Sequence, residues 1–315
     1  MRRLAASLFL LASAGACAGE GNDDDHADEA AVRDNAAAQD LVIEGQLRGA
    51  TLPQKVLHLT FDDGPGPRTA ELADYLAESQ IKATFFINGT RLAALGGAAR
   101  HVVARGHLLA NHTYGHLLLP RQSPERMVDE IRRVDDFIVD AQPGRPAYLR
   151  MPYAGYNGIL ERALQRSPMN KYVGPIHWDI GTSLTATSAA DWNCWSTNVS
   201  IERCGDLYLA EIRAKGRGIV LFHDIHGKTV DMVKRIVPQL REEGFTFTDL
   251  ESVPQIKEAA ATARKPLGDS QCFSGTLMRV VEEGTCVRSD FEGKPFRCAS
   301  GDWRSTAPDA SCRSR

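Results

Sequence analysis

At 315 residues with 43% hydrophobic content, the chain can bury one large core and carry a small satellite module. A formal net charge of −3 and the lack of any long basic run leave no electrostatic footprint for nucleic-acid binding.

The chain starts Met1-Arg2-Arg3, followed by an apolar run over 4–16. A charged start and short apolar body make a secretory signal, too short to span a bilayer. It ends Ser13-Ala14-Gly15-Ala16-Cys17, which resembles a bacterial lipoprotein cleavage site, although Ala14 stands where Leu is usual. The expectation is a signal peptide over 1–17 with Cys17 lipidated; simple cleavage near Ala16 or Ala18 is the alternative. Glu20 to Glu29 holds six acidic residues and almost nothing apolar. Such a stretch cannot offset its ordering entropy by burial, so 18–45 reads as a disordered acidic tether.

From residue 55 strand and helix signals alternate. Strands are expected at 56–61, 82–86, 108–111, 148–151, 172–178 and 219–223, and 245–248 can close the sheet. Helices are expected at 69–80, with Leu72, Tyr75 and Leu76 at helical spacing, and at 91–105, 205–215 and 229–243. A long helix over 123–141 opens with Ser123-Pro124-Glu125, a cap followed by proline in the first turn. Repeated strand–helix units argue an α/β fold with a parallel sheet. Periodicity alone does not separate a barrel from an open sheet.

Residues 256–269 read as a polar linker, and 270–315 as a small Cys-rich module that needs staples to fold. Seven cysteines is an odd count. With Cys17 lipidated, six remain: Cys194, Cys204, Cys272, Cys286, Cys298 and Cys312. The last four are separated by 13, 11 and 13 residues, with no CxxC pair, which favours disulfides over a zinc knuckle. Three disulfides in an oxidising compartment is the simplest arrangement.

Chemistry concentrates at two places. Thr60-Phe61-Asp62-Asp63-Gly64-Pro65 puts adjacent carboxylates at a strand end. His112-Thr113-Tyr114-Gly115-His116 adds two imidazoles. One carboxylate with two histidines leaves an open position, the pattern of a catalytic rather than a structural zinc.

These two segments resemble the first two signature motifs of the carbohydrate esterase family 4 polysaccharide deacetylases, the NodB-homology domain. Arg150-Met151-Pro152-Tyr153 resembles the third and the run 218–224, ending His223-Asp224, the fifth. The fourth is partly matched. Trp178-Asp179-Ile180-Gly181 starts it with Gly181 in place of an acid, and Asp191-Trp192 closes it after a longer gap than usual. The resemblance places the deacetylase domain at 46–255 and implies a distorted, seven-stranded (β/α) barrel.

It further implies zinc, with cobalt or nickel able to replace it, held by Asp63, His112 and His116. Asp62 is the implied general base, Arg150 its partner, and the Tyr153 backbone N–H an oxyanion donor. His223 is the implied general acid, oriented by Asp191 or, as rival, Asp179. Pro152, Tyr153 and Trp192 are expected to line the substrate. The implied activity is metal-dependent N-deacetylation of an envelope-associated or extracellular polysaccharide, of peptidoglycan or chitin type. O-deacetylation of xylan and a non-catalytic glycan-binding lipoprotein are the alternatives. The expected partners are the acetylated polysaccharide and, through lipidated Cys17, a membrane. Nothing points to nucleic acid or a protein partner.

Overall fold

Strand β1 (Val56–Asp62) sits at the centre of a parallel sheet because almost every residue of Val-Leu-His-Leu-Thr-Phe-Asp is buried. Such near-continuous burial is what a strand covered on both faces requires. The computed structural model describes residues 46–262, 271–274, 279–288, 294–299, 302–307 and 311–312. The expected signal, Cys17 and the tether lie outside those residues. No helix among the described residues is long and apolar enough to cross a membrane.

β1 pairs on one side with β2 (Thr84–Ile87), which pairs with β3 (Leu108–Asn111), and on the other with β4 (Gly218–His223). β5 (Thr246–Phe247) joins β1 at its N-terminal end. Isolated parallel bridges complete the circuit: Asn111 to Leu149, Tyr148 to Val173, and Ile180 to Val220. Six segments therefore make the circuit among the described residues, two of them (148–149 and 173–180) held only by isolated bridges, and the two-residue β5 lies off it. The barrel is closed but distorted.

The expected strands at 148–151 and 172–178 shrink to those bridges. Pro152 and Pro175 have no amide hydrogen to give a ladder, so neither segment can extend its pairing.

Helices cover the outside: α1 (Thr69–Glu78), α2 (Gly89–Ala104), α3 (Pro124–Ala141), α4 (Gly158–Gln165), α5 (Asp191–Ser196), α6 (Ile201–Lys215) and α7 (Gly227–Glu242). α3 begins where its sequence said: Ser123 accepts from the Arg126 amide and Pro124 fills the first turn.

The linker expected at 256–269 is corrected at its start. Helix α8 (Pro254–Thr262) runs through 256–262, and Ile256 is fully buried with Leu52, Leu250 and Val253. One isoleucine and a few alanines gave too weak a periodic signal; the burial comes from partners far away in sequence. Residues 263–269 lie outside the described residues.

In the tail, β6 (Gln271–Ser274) pairs with β7 (Arg279–Glu282), and β8 (Cys286–Arg288), β9 (Pro295–Ala299) and β10 (Asp302–Ser305) form an antiparallel sheet. Disulfides join Cys194 to Cys204 and Cys286 to Cys312. Cys298 is also disulfide-bonded.

Candidate active site

All the chemistry-bearing residues singled out above, except Asp179, converge at the C-terminal ends of the barrel strands, where βα barrels carry their sites. Asp62 ends β1 and lies in register with His223 at the end of β4. His112 follows β3 directly.

Asp63 Oδ1 lies 3.1 Å from His116 Nε2 and 3.4 Å from His112 Nε2. The three donor atoms all fall within 4.8 Å of one another. Tetrahedral ligands about 2.05 Å from zinc would stand about 3.4 Å apart, close to these separations. His112 Nδ1 lies 2.9 Å from the Arg150 carbonyl, which can only accept, so Nδ1 carries a proton and Nε2 is the ring atom turned toward Asp63. His116 Nδ1 is engaged 3.0 Å from the Tyr153 hydroxyl, which likewise turns its Nε2 toward Asp63. One carboxylate oxygen and two Nε2 atoms converging in this way make a donor set that fits a metal. Burial works against the charge of Asp63, yet His116 and then His112 hold its carboxyl well below the usual range.

Backbone strain gathers here. Of the eight non-glycine residues with positive φ among the described residues, Asp63, Thr113, His116, Tyr153 and Ala154 belong to this site. Left-handed backbone at a non-glycine residue persists only where its surroundings over-determine it.

Asp62 is held by Arg150, the largest fully buried side chain among those described. Arg150 Nη1 donates to Asp62 Oδ1 at 2.6 Å and to Thr60 Oγ1 at 2.9 Å. Nε and Nη2 donate to the Ile176 and His177 carbonyls, both at 3.2 Å. Its guanidinium stacks over Phe86, 4.1 Å from the ring centre. The guanidinium thus plugs the top of the barrel and fixes one Asp62 oxygen. The other oxygen, Oδ2, stands 3.7 Å from His112 Nε2.

His223 Nδ1 lies 2.7 Å from Asp191 Oδ1, and the His223 amide donates to Asp191 Oδ2 at 2.7 Å. Asp191 also accepts from the Thr229 hydroxyl at 2.7 Å and from the Trp192 amide at 2.9 Å. Burial alone would raise Asp191, but His223 holds it below its ordinary value. Burial alone would lower His223; Asp191, followed by Asp63 and Asp62, reverses that and raises it to about 10.

Asp179 is elsewhere. Its Oδ2 accepts from the Gly49 and Ile219 amides, both at 2.8 Å, tying the N-terminal segment to the start of β4. Four residue steps lead from Ile219 to His223, about 13 Å of strand. The acid beside His223 is Asp191. Gly181 cannot be an acid here: its φ is +99°, and a Cβ would stand 2.6 Å from the Leu221 carbonyl oxygen. The extra residues of the loop carry the chain from this close approach to α5, which starts at Asp191, and Cys194–Cys204 staples α5 to α6.

Pro152 and Tyr153 lie in a single helical turn beside His116, with Tyr153 at φ 56°. Trp192 is half-buried next to Asp191, and His226 stands immediately before α7. Thr229 and Tyr208 escaped the sequence reading, and Thr60 stood in its motif without a role. Tyr208 donates to the Leu221 carbonyl and accepts from the Asp191 amide. Nothing local marks Thr229 or Tyr208, since their partners come from distant segments.

A family model described as polysaccharide deacetylase matches residues 49–171. A chitooligosaccharide deacetylase of Rhizobium leguminosarum bv. trifolii is 32% identical over 214 residues, covering 63% of this chain and 90% of that protein. The peptidoglycan-N-acetylmuramic acid deacetylase PdaC of Bacillus subtilis is 31% identical, with 65% of this chain matching 41% of that longer protein. The solved structure of PdaC superposes with a TM-score of 0.53 at 25% identity, covering 66% of this chain and 94% of that one. A structure described as T48 deacetylase with substrate gives 0.52 at 28% identity, covering 68% and 94%.

Proposed function

The chain belongs to the polysaccharide deacetylase family, and from that premise we propose a zinc-dependent hydrolase that removes N-acetyl groups from an extracellular or envelope polysaccharide. Peptidoglycan or a chitin-like oligomer is the substrate we favour. The observation that carries this reading is the joint placement of Asp63, His112 and His116 beside the Arg150-held Asp62 and the Asp191-held His223. A binding module has no use for such a set.

A zinc ion held by Asp63, His112 and His116 would polarise the acetyl carbonyl and lower the pKa of its water toward about 7. Asp62 takes the proton of the attacking water as the C–O bond forms. Arg150 keeps that carboxylate in one orientation. His223, as imidazolium, gives its proton to the sugar nitrogen as the C–N bond breaks, leaving acetate and a free amine. Asp191 keeps the imidazolium charged and aimed. The Tyr153 backbone N–H is assigned to the developing oxyanion, and Pro152 and Trp192 to the walls around the sugar.

The disulfides suit an oxidising compartment outside the cytoplasm. With the signal-like start and Cys17, we propose an exported enzyme, tethered by lipid at the cell envelope or secreted.

Acetate release from peptidoglycan, N-acetylchitooligosaccharides and acetylated xylan tests the substrate class. Release from an N-acetylated glycan that stops with chelator is the expected result. Release from xylan alone would make the chain an O-acetyl esterase, and binding to glycan without any release would make it a lectin-like protein.

A further inference from the structure

Glu130, on α3, is a fully buried acid that none of the roles above uses. A carboxylate is rarely buried without a task for both oxygens. Oε2 accepts from the Gly115 amide at 2.6 Å, and Oε1 lies 2.6 Å from Arg126 Nη2. Its main-chain carbonyl accepts from the Tyr114 amide at 2.8 Å.

The gripped segment is the loop between the two ligand histidines. Thr113 and His116 adopt φ of 69° and 52°. The His112 amide donates to the Ile87 carbonyl at 3.1 Å and the Thr113 amide to Asn111 Oδ1 at 2.9 Å. Those two contacts anchor the loop to the barrel at its first half. In the second half, Tyr114 is shared between the Glu130 carbonyl and the Thr90 amide, which donates to the Tyr114 carbonyl at 3.0 Å, while the Gly115 amide goes to the Glu130 carboxylate. Gly115 immediately precedes His116, and a Cβ added there would stand 3.4 Å from Glu130 Oε2.

We propose that Glu130 is a positioning residue for the metal site: through the Gly115 N–H it fixes where the His116 imidazole stands relative to His112. The idea rests on the reading of Asp63, His112 and His116 as metal ligands. Partners of this kind, one step behind the ligands, typically change metal affinity 10–100-fold when removed. What matters is the reach of the carboxylate. Glu130→Asp keeps the charge and the Arg126 neighbour but withdraws the oxygen by about 1.5 Å, one C–C bond. Glu130→Gln loses the charge but keeps an oxygen that can accept from Gly115.

The test is the zinc dissociation constant of the full chain, by chelator competition, alongside Tm. The expected order is wild type, then E130Q close behind, with E130D weaker by about 10–100-fold. Gln142→Ala serves as a structural control, because Gln142 clamps the Leu109 backbone, three residues before His112 on β3, through its side-chain amide without touching a ligand or the Gly115 loop. It should lower Tm and leave zinc affinity unchanged. The proposal is overturned if E130D binds zinc as tightly as wild type, if E130Q loses as much as E130D, or if affinity merely tracks Tm across all three. Wild-type protein that binds no zinc would instead remove the metal reading on which the proposal stands.

Discussion

Asp62→Asn should lower kcat/KM by on the order of 10²–10⁴-fold, the usual worth of a positioned general base, while zinc still binds. The substitution keeps the shape of the side chain and an oxygen that can accept from Arg150 Nη1, now 2.6 Å from the carboxylate. It takes away the group that receives the water's proton. It also leaves the Arg150 guanidinium buried without a full counter-charge, and breaking a buried pair outright costs about 3–5 kcal/mol. The remaining contacts of Arg150 to Thr60, Ile176 and His177 soften that cost. The variant should therefore melt earlier but fold, and zinc binding measured beside activity separates lost chemistry from lost structure. Retention of more than a tenth of the wild-type activity would remove Asp62 from the role of base.

The second large effect concerns the acid. Asp191→Asn should shift the alkaline limb of the kcat profile from near pH 10 to below about 6.5, the ordinary value of a histidine. Burial disfavours the imidazolium, and the Asp191 carboxylate is the main force opposing burial. With that charge gone, His223 is neutral at pH 7.5 and has no proton to donate, so kcat there should fall by about 10²–10⁴-fold. The sign carries over to stability. A pKa raised in the folded protein means the pair stabilises the fold fully below the unfolded value near 6.5. That contribution fades as pH rises through about 10. An unchanged alkaline limb in the variant would show that His223 is not the titrating acid.

The proposed ligands and base could be picked out in the sequence because they sit in short runs at strand ends, where sequence neighbours are also neighbours in space. Asp62 and Asp63 end β1, and His112 and His116 flank one turn after β3. Choosing between Asp191 and Asp179 was beyond the sequence, since both stand near a tryptophan and the intervening loop has unusual length. Only the closing of β4 against Ile180 puts Asp179 at one end of the strand and His223 at the other.

Glu130, Thr229 and Tyr208 were invisible for a related reason. Each meets the site from 13 to 38 residues away, across a helix whose register the sequence does not set. α4 and α8 were missed because they are short, and α8 owes its place to burial of Ile256 rather than to a strong apolar stripe. The barrel itself came through the family resemblance. Its closure depends on single bridges near Pro152 and Pro175 that no periodicity could reveal.

The proposed chemistry requires one catalytic metal ion held by Asp63, His112 and His116. Its most direct test is acetate release from an N-acetylated glycan by metal-stripped protein titrated with zinc. Activity should be absent at the start and rise to a plateau at one zinc per chain. Full activity in the stripped protein, or an activity that ignores zinc while the ion is bound, would contradict the account.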